Sequence, residues 1–118
     1  MPLIHYEDTK AVEMLPGVVR RTMTAGERMM LILVTIAKGS VVPSHTHPHE
    51  QTGYLVSGRM EFKLGKEKVE MEAGDSWLVP PDVPHEVKAL EDCTIIDVFS
   101  PPREDYRDVE VEEAEEGA

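Results

Sequence analysis

Cysteine, aromatic rings, basic charge and long apolar runs are all scarce in this 118-residue chain, and each shortage removes a class of answer. Cys93 is the only cysteine, so no internal disulfide can form and nothing asks for an oxidising compartment; the expected location is cytoplasmic. The N-terminal stretch carries Glu7, Asp8, Glu13 and Pro16 without an apolar segment of signal-peptide length. The best apolar run, Met29 to Ala37, is far too short to span a bilayer. Lys and Arg number 12 against 23 Asp and Glu, a net charge of −11. That balance repels phosphate backbones, and with no basic stripe the expectation is no nucleic-acid and no membrane partner.

The acids are unevenly placed. Glu104 to Ala118 holds eight of them and one Arg, so residues 104–118 read as a frayed acidic tail and residues 1–103 as a single, mildly acidic domain. Within that domain prolines and glycines recur every several residues, the punctuation of many short strands. Arg28 to Ile36 is β-branched and bounded by Gly26 and Gly39, which predicts a strand buried on both faces. Met60, Phe62 and Leu64 alternate with Arg59, Glu61 and Lys63, the period of a half-buried strand; Gly65–Lys66 turns the chain, and Val69 and Met71 continue the inward set. Trp77 to Val79, His85 to Ala89 and Cys93 to Phe99 follow as further strands, the last ended by Pro101–Pro102, which cannot donate ladder hydrogen bonds. Glu7 to Met14 has weak periodicity and reads as strand or loop at the N-terminal edge. The pattern is all-β, a sandwich or a closed barrel.

His45, His47 and His49 cluster, His85 recurs after a Pro-rich turn, and His5 stands alone. On an extended backbone side chains two apart share a face, so His45, His47, His49 and Gln51 can all enter one cavity while Glu50 points away. Imidazoles suit several first-row metals, and an amide oxygen is a neutral ligand beside them. A bare His-x-His reads equally well as a surface patch. Here it sits in Gly39-x5-His45-x-His47-x3-Gln51-x6-Gly58, followed by Gly74-x5-Pro80-x-Asp82-x2-His85, which closely resembles the paired motifs of the cupin superfamily. That resemblance implies a double-stranded β-helix, or jelly-roll barrel. It also implies one divalent transition metal ion (Ni, Zn, Fe, Mn or Co) held by His45, His47, Gln51 and His85. Three positions depart from the general pattern: Gln51 where Glu is usual, Asp82 for Gly, and Ala89 for Asn. His49 is the rival to Gln51 as fourth ligand, unless Pro48 breaks the alternation.

The likeness extends further. His45-Thr-His-Pro-His-Glu-Gln-Thr-Gly-Tyr54, Ser57–Gly58 and Asp97-Val-Phe-Ser-Pro-Pro-Arg-Glu-Asp105 resemble the KdgF-type cupins of pectin degradation. This family converts 4,5-unsaturated monouronates, from pectin or alginate, into linear 5-keto-4-deoxyuronates, and its catalytic residues fall here on Asp97, Phe99 and Arg103. The implied roles are a proton carrier at Asp97, an apolar wall at Phe99 and a bidentate carboxylate partner at Arg103. Read without the resemblance, Asp97 and Arg103 are ordinary exposed charges and Phe99 a core residue; Trp77 and Tyr54 pack, or floor a sugar site. Two other functions fit the same metal set: a cupin dioxygenase, and a non-catalytic barrel binding a sugar acid through its metal. The exposed N-terminal edge strand predicts a homodimer, and the expected partner is a small anionic substrate, a uronate.

Overall fold

Closely spaced turn residues divide the chain into ten strands in the computed structural model, which describes residues 3–107. In order they are β1 (Ala11–Leu15), β2 (Val18–Ala25), β3 (Met30–Ile36), β4 (Val41–His45), β5 (Glu50–Ser57), β6 (Arg59–Leu64), β7 (Glu67–Glu72), β8 (Ser76–Val79), β9 (His85–Ala89) and β10 (Cys93–Ser100). The ambiguous N-terminal stretch resolves into a short 3-10 helix, Tyr6–Asp8, and then the edge strand β1. All pairings are antiparallel, in a six-stranded sheet of order β1-β2-β3-β10-β5-β8 and a four-stranded sheet of order β4-β9-β6-β7. This is the all-β, double-stranded β-helix that the cupin resemblance implies. Among the described residues no helix is long and apolar enough to cross a membrane.

The period-2 pattern sorts the two inner faces into one core. Met30, Ile32, Val34 and Ile36 of β3 pack with Leu55, Met60, Phe62, Trp77, Val79, Val87 and Ile95. At about 25 cal/mol per Å2 of apolar surface removed from water, this shared core is the main favourable term in folding. Gly65–Lys66 forms the two-residue hairpin loop that sets Leu64 opposite Glu67.

Three expectations need correction. β3 is fully buried on one face only: Leu31 and Leu33 on the other face are half-covered and Thr35 is exposed. Val69 shares the inward parity of Met71 and pairs with buried Phe62, yet it is 51% exposed. The reason is position, since β7 is the outer edge of its sheet and has a neighbour on one side only. The chain body also extends past residue 103. Glu104–Tyr106 forms a 3-10 helix whose Tyr106 carbonyl accepts hydrogen bonds from Arg20 Nη1 (2.9 Å) and Thr22 Oγ1 (2.6 Å). The remainder of the expected acidic tail, residues 108–118, lies outside the described residues.

Candidate metal centre

Strand pairing places the histidines before any side chain is considered. β4 and β9 are neighbours in the four-stranded sheet, and a bulge between Val42 and His45 sets His45 directly opposite His85. β4 ends at His45 and β5 begins at Glu50, so His47 lies on the connecting loop and Gln51 enters from the six-stranded sheet. The site therefore bridges both sheets. The ligand atoms of His45, His47 and His85 lie within 4.8 Å of one another, close enough to hold one metal ion.

Each imidazole is oriented by its own backbone. His45 Nδ1 lies 2.8 Å from the Pro43 carbonyl, His47 Nδ1 3.1 Å from that of His49, and His85 Nδ1 3.0 Å from that of Val83. A carbonyl can only accept, so all three Nδ1 atoms carry the proton and all three Nε2 atoms turn lone pairs inward. Burial lowers the pKa of His47, and lowers that of His85 to about 4, which keeps both rings neutral and able to bind a metal. His85 Nε2 is buried with no hydrogen-bond partner.

Gln51 sharpens the case. Its Nε2 donates to Asp97 Oδ1 at 3.0 Å, which fixes the amide so that Oε1 faces His47 Nε2 at 2.9 Å. Two lone pairs then oppose each other across a normal hydrogen-bond distance in a buried place, an arrangement that a shared cation relieves. The donor set present thus fits a transition metal. His49 diverges: Pro48 falls between the strands, His49 stays outside the close group, and it contributes its carbonyl to the orientation of His47. Asp82, at the position where the cupin pattern has Gly, adopts φ 66°, the left-handed conformation Gly takes freely, and its N–H donates to the His47 carbonyl at 2.9 Å.

The family-derived catalytic positions gather against the same group. Asp97 is buried, and burial pushes its carboxyl up to about 6, while the Gln51 hydrogen bond and the charge of Arg103 pull the other way. Phe99 is buried at 5.5 Å from the His47 ring. The Arg103 guanidinium lies 5.3 Å from the Phe99 ring centroid and 4.0 Å from that of Tyr106, and its fork holds Asp105 through Nε and Nη2. Asp97, Phe99, Arg103 and Tyr106 line a cavity of about 80 Å3 that opens to solvent, with His45, Gln51 and His85 among its other polar members. The rest of the lining is largely apolar, Ile32, Val34, Phe62 and Trp77 among it. Tyr54 is 47% exposed and absent from this lining.

Tyr106 and Asp105 were not readable as site residues, because composition assigns them to the tail. The one local signal was an aromatic ring flanked by Arg103 and Arg107 inside an acidic run.

Comparison with known proteins agrees with the geometry. Residues 32–99 match the cupin domain family. The pectin degradation protein KdgF of Dickeya dadantii is 31% identical over 102 residues, 85% of this chain and 93% of that one. The structure of KdgF from a Halomonas species superposes with a TM-score of 0.85 at 31% identity, covering 91% of this chain and 99% of the other. An RmlC-like cupin from Shewanella frigidimarina gives the same TM-score at 30% identity, over 89% and 95%. With its paired sheets, its three inward-facing histidines and these likenesses along most of its length, the chain belongs to the cupin family.

Proposed function

We propose that this cupin opens 4,5-unsaturated monouronates into linear 5-keto-4-deoxyuronates, using a divalent transition metal held by His45, His47, His85 and Gln51. The observation that carries this reading is the contact Asp97–Gln51, which joins a buried carboxyl of raised pKa to the metal-facing amide.

The substrate is a cyclic enol ether with a carboxylate and an anomeric hydroxyl. Its opening needs the proton of the anomeric hydroxyl removed as the C1 carbonyl forms, the bond from C1 to the ring oxygen broken, and a proton delivered to C4 as the former ring oxygen becomes the C5 ketone. The reaction is an isomerisation with no redox change. A carboxyl with a pKa near 6 is suited to both proton movements, since it is a competent base and a competent acid near neutrality. The metal, when bound, supplies Lewis-acid polarisation of substrate oxygens. Gln51, as a neutral ligand in place of the usual Glu, leaves that polarisation undiminished by a ligand charge. Arg103 exchanges Asp105 for the substrate carboxylate, a bidentate swap of one carboxylate for another. Phe99 and Tyr106 wall the ring. A homodimer formed through the β1 edge completes this reading, and sedimentation of a monomer at working concentrations would remove that part.

The test is direct. Metal-loaded protein added to an unsaturated monouronate should abolish the ultraviolet absorbance of the enol ether, with the keto product recovered in equal amount. Unchanged absorbance with metal present sinks the reading. Uptake of oxygen by the ferrous protein, with substrate consumed, would transfer support to a dioxygenase.

A further inference from the structure

Trp77 is the only tryptophan in the chain, it is 9% exposed, and its indole Nε1–H is buried without a hydrogen-bond partner. An indole nitrogen can only donate, and a buried donor left unpaired is destabilising. The ring packs on Phe62, centroids 5.4 Å apart and planes tilted by 37°, so no acceptor comes from that side. Yet Trp77 lines the same cavity as His45, His85 and Asp97, where a ligand can bring one.

The position of the nitrogen follows from Gly53. A Cβ on Gly53 would sit 2.2 Å from Cε2 and Cζ2 of the indole and 2.5 Å from Nε1. The Nε1-bearing edge therefore occupies the space that any side chain at residue 53 would fill. Gly53 pairs with Trp77 on one side and with Asp97 on the other. Trp77, Gly53 and Asp97 thus form one row across β8, β5 and β10 on the inner face, with the nitrogen edge of the ring over the glycine. The missing side chain in the middle of this row is what admits the nitrogen edge of the indole.

We infer that the Trp77 Nε1–H is a specificity-determining donor that binds a ring hydroxyl oxygen of the substrate while Asp97 acts on the reacting carbons. This rests on the uronate reading for the identity of the substrate. The donor rewards a polyhydroxylated ring and penalises an analogue lacking the matching oxygen, since its absence leaves the donor unpaired.

The test uses the metal-loaded full chain and Trp77→Phe, which keeps an aromatic ring and removes the N–H. The variant should raise KM for the unsaturated uronate about tenfold, the equivalent of about 1.4 kcal/mol, with kcat changed less than threefold. Discrimination between the uronate and its monodeoxy analogues should fall toward unity for one of them, a change that loss of packing alone does not produce. As a readout independent of folding in the variant, emission of the single tryptophan in Asp97→Asn protein should change saturably as uronate is added. Unchanged KM and discrimination in a folded, metal-loaded Trp77→Phe, or an emission unmoved at saturating uronate, overturns the inference while wild-type turnover leaves the uronate reading standing. Wild-type protein that neither binds nor turns over the uronate overturns both.

Discussion

On the histidine wall each imidazole is held by a carbonyl two residues away, at Pro43, His49 and Val83. On the facing wall the carbonyl of Tyr106 is held by Arg20 and Thr22, 86 and 84 residues distant. The first arrangement is local and survives wherever the strand ends are formed. The second exists only once the whole barrel has closed, so it links the Tyr106 side of the site to the global fold. The comparison leads to the expectation that mutations on the two walls separate metal binding from turnover.

The largest expected effect breaks the histidine wall. His85→Ala removes one of three clustered imidazoles, so metal content by elemental analysis should fall below stoichiometric and turnover should be lost with it. Chelation of the wild type should reproduce the loss, and re-addition of metal should restore activity in the wild type alone.

Next in size, Asp97→Asn should lower kcat by about 10²–10⁴ while metal content stays at the wild-type value, because Gln51 keeps an acceptor at the same place. The same change should stabilise the metal-free protein. A carboxyl raised from 3.8 to about 6 is disfavoured as an anion by its burial, a penalty on the order of 3 kcal/mol at neutral pH that an amide does not carry. A higher melting temperature in an inactive variant would show that this residue serves chemistry at the expense of the fold; a lower one would contradict the burial argument.

Thr22→Val tests the other wall from a distance. It deletes the donor at 2.6 Å to the Tyr106 carbonyl, at a cost of about 1 kcal/mol, and should raise KM several-fold with metal content unmoved. Loss of metal in this variant would dissolve the separation between the walls. The smallest effect belongs to Asp82→Gly. At φ 66° glycine relieves a conformational cost of about 1 kcal/mol, so calorimetry should find the variant equal to or slightly more stable than the wild type, with unchanged activity.

This division also marks what could be read without coordinates. His45 and His85 are legible because strand pairing and one bulge set them opposite each other, and Gln51 because it lies at the start of β5, whereas His47, on the loop between β4 and β5, is legible only through the motif. Parity likewise put Cys93, Ile95, Asp97 and Phe99 on one face, and all four are buried. His49 shows the limit of parity: its alternation fails at Pro48, where no strand continues. Burial at Val69 depends on where a sheet ends, which alternation does not encode. The roles of Arg20, Thr22 and Tyr106 were invisible because their contacts join opposite ends of the chain, and composition drew attention to the charge around Tyr106 rather than to its ring.

The pairing of Arg103 with Asp105 has a consequence of its own. In the resting protein the guanidinium already grips a tethered acid, so an arriving anion enters by displacement rather than by neutralising a bare cation. The guanidinium is already neutralised before the anion arrives, which favours acids that bring more than a carboxylate. A simple inorganic anion has to compete for the same guanidinium with a tethered carboxylate that never leaves the vicinity.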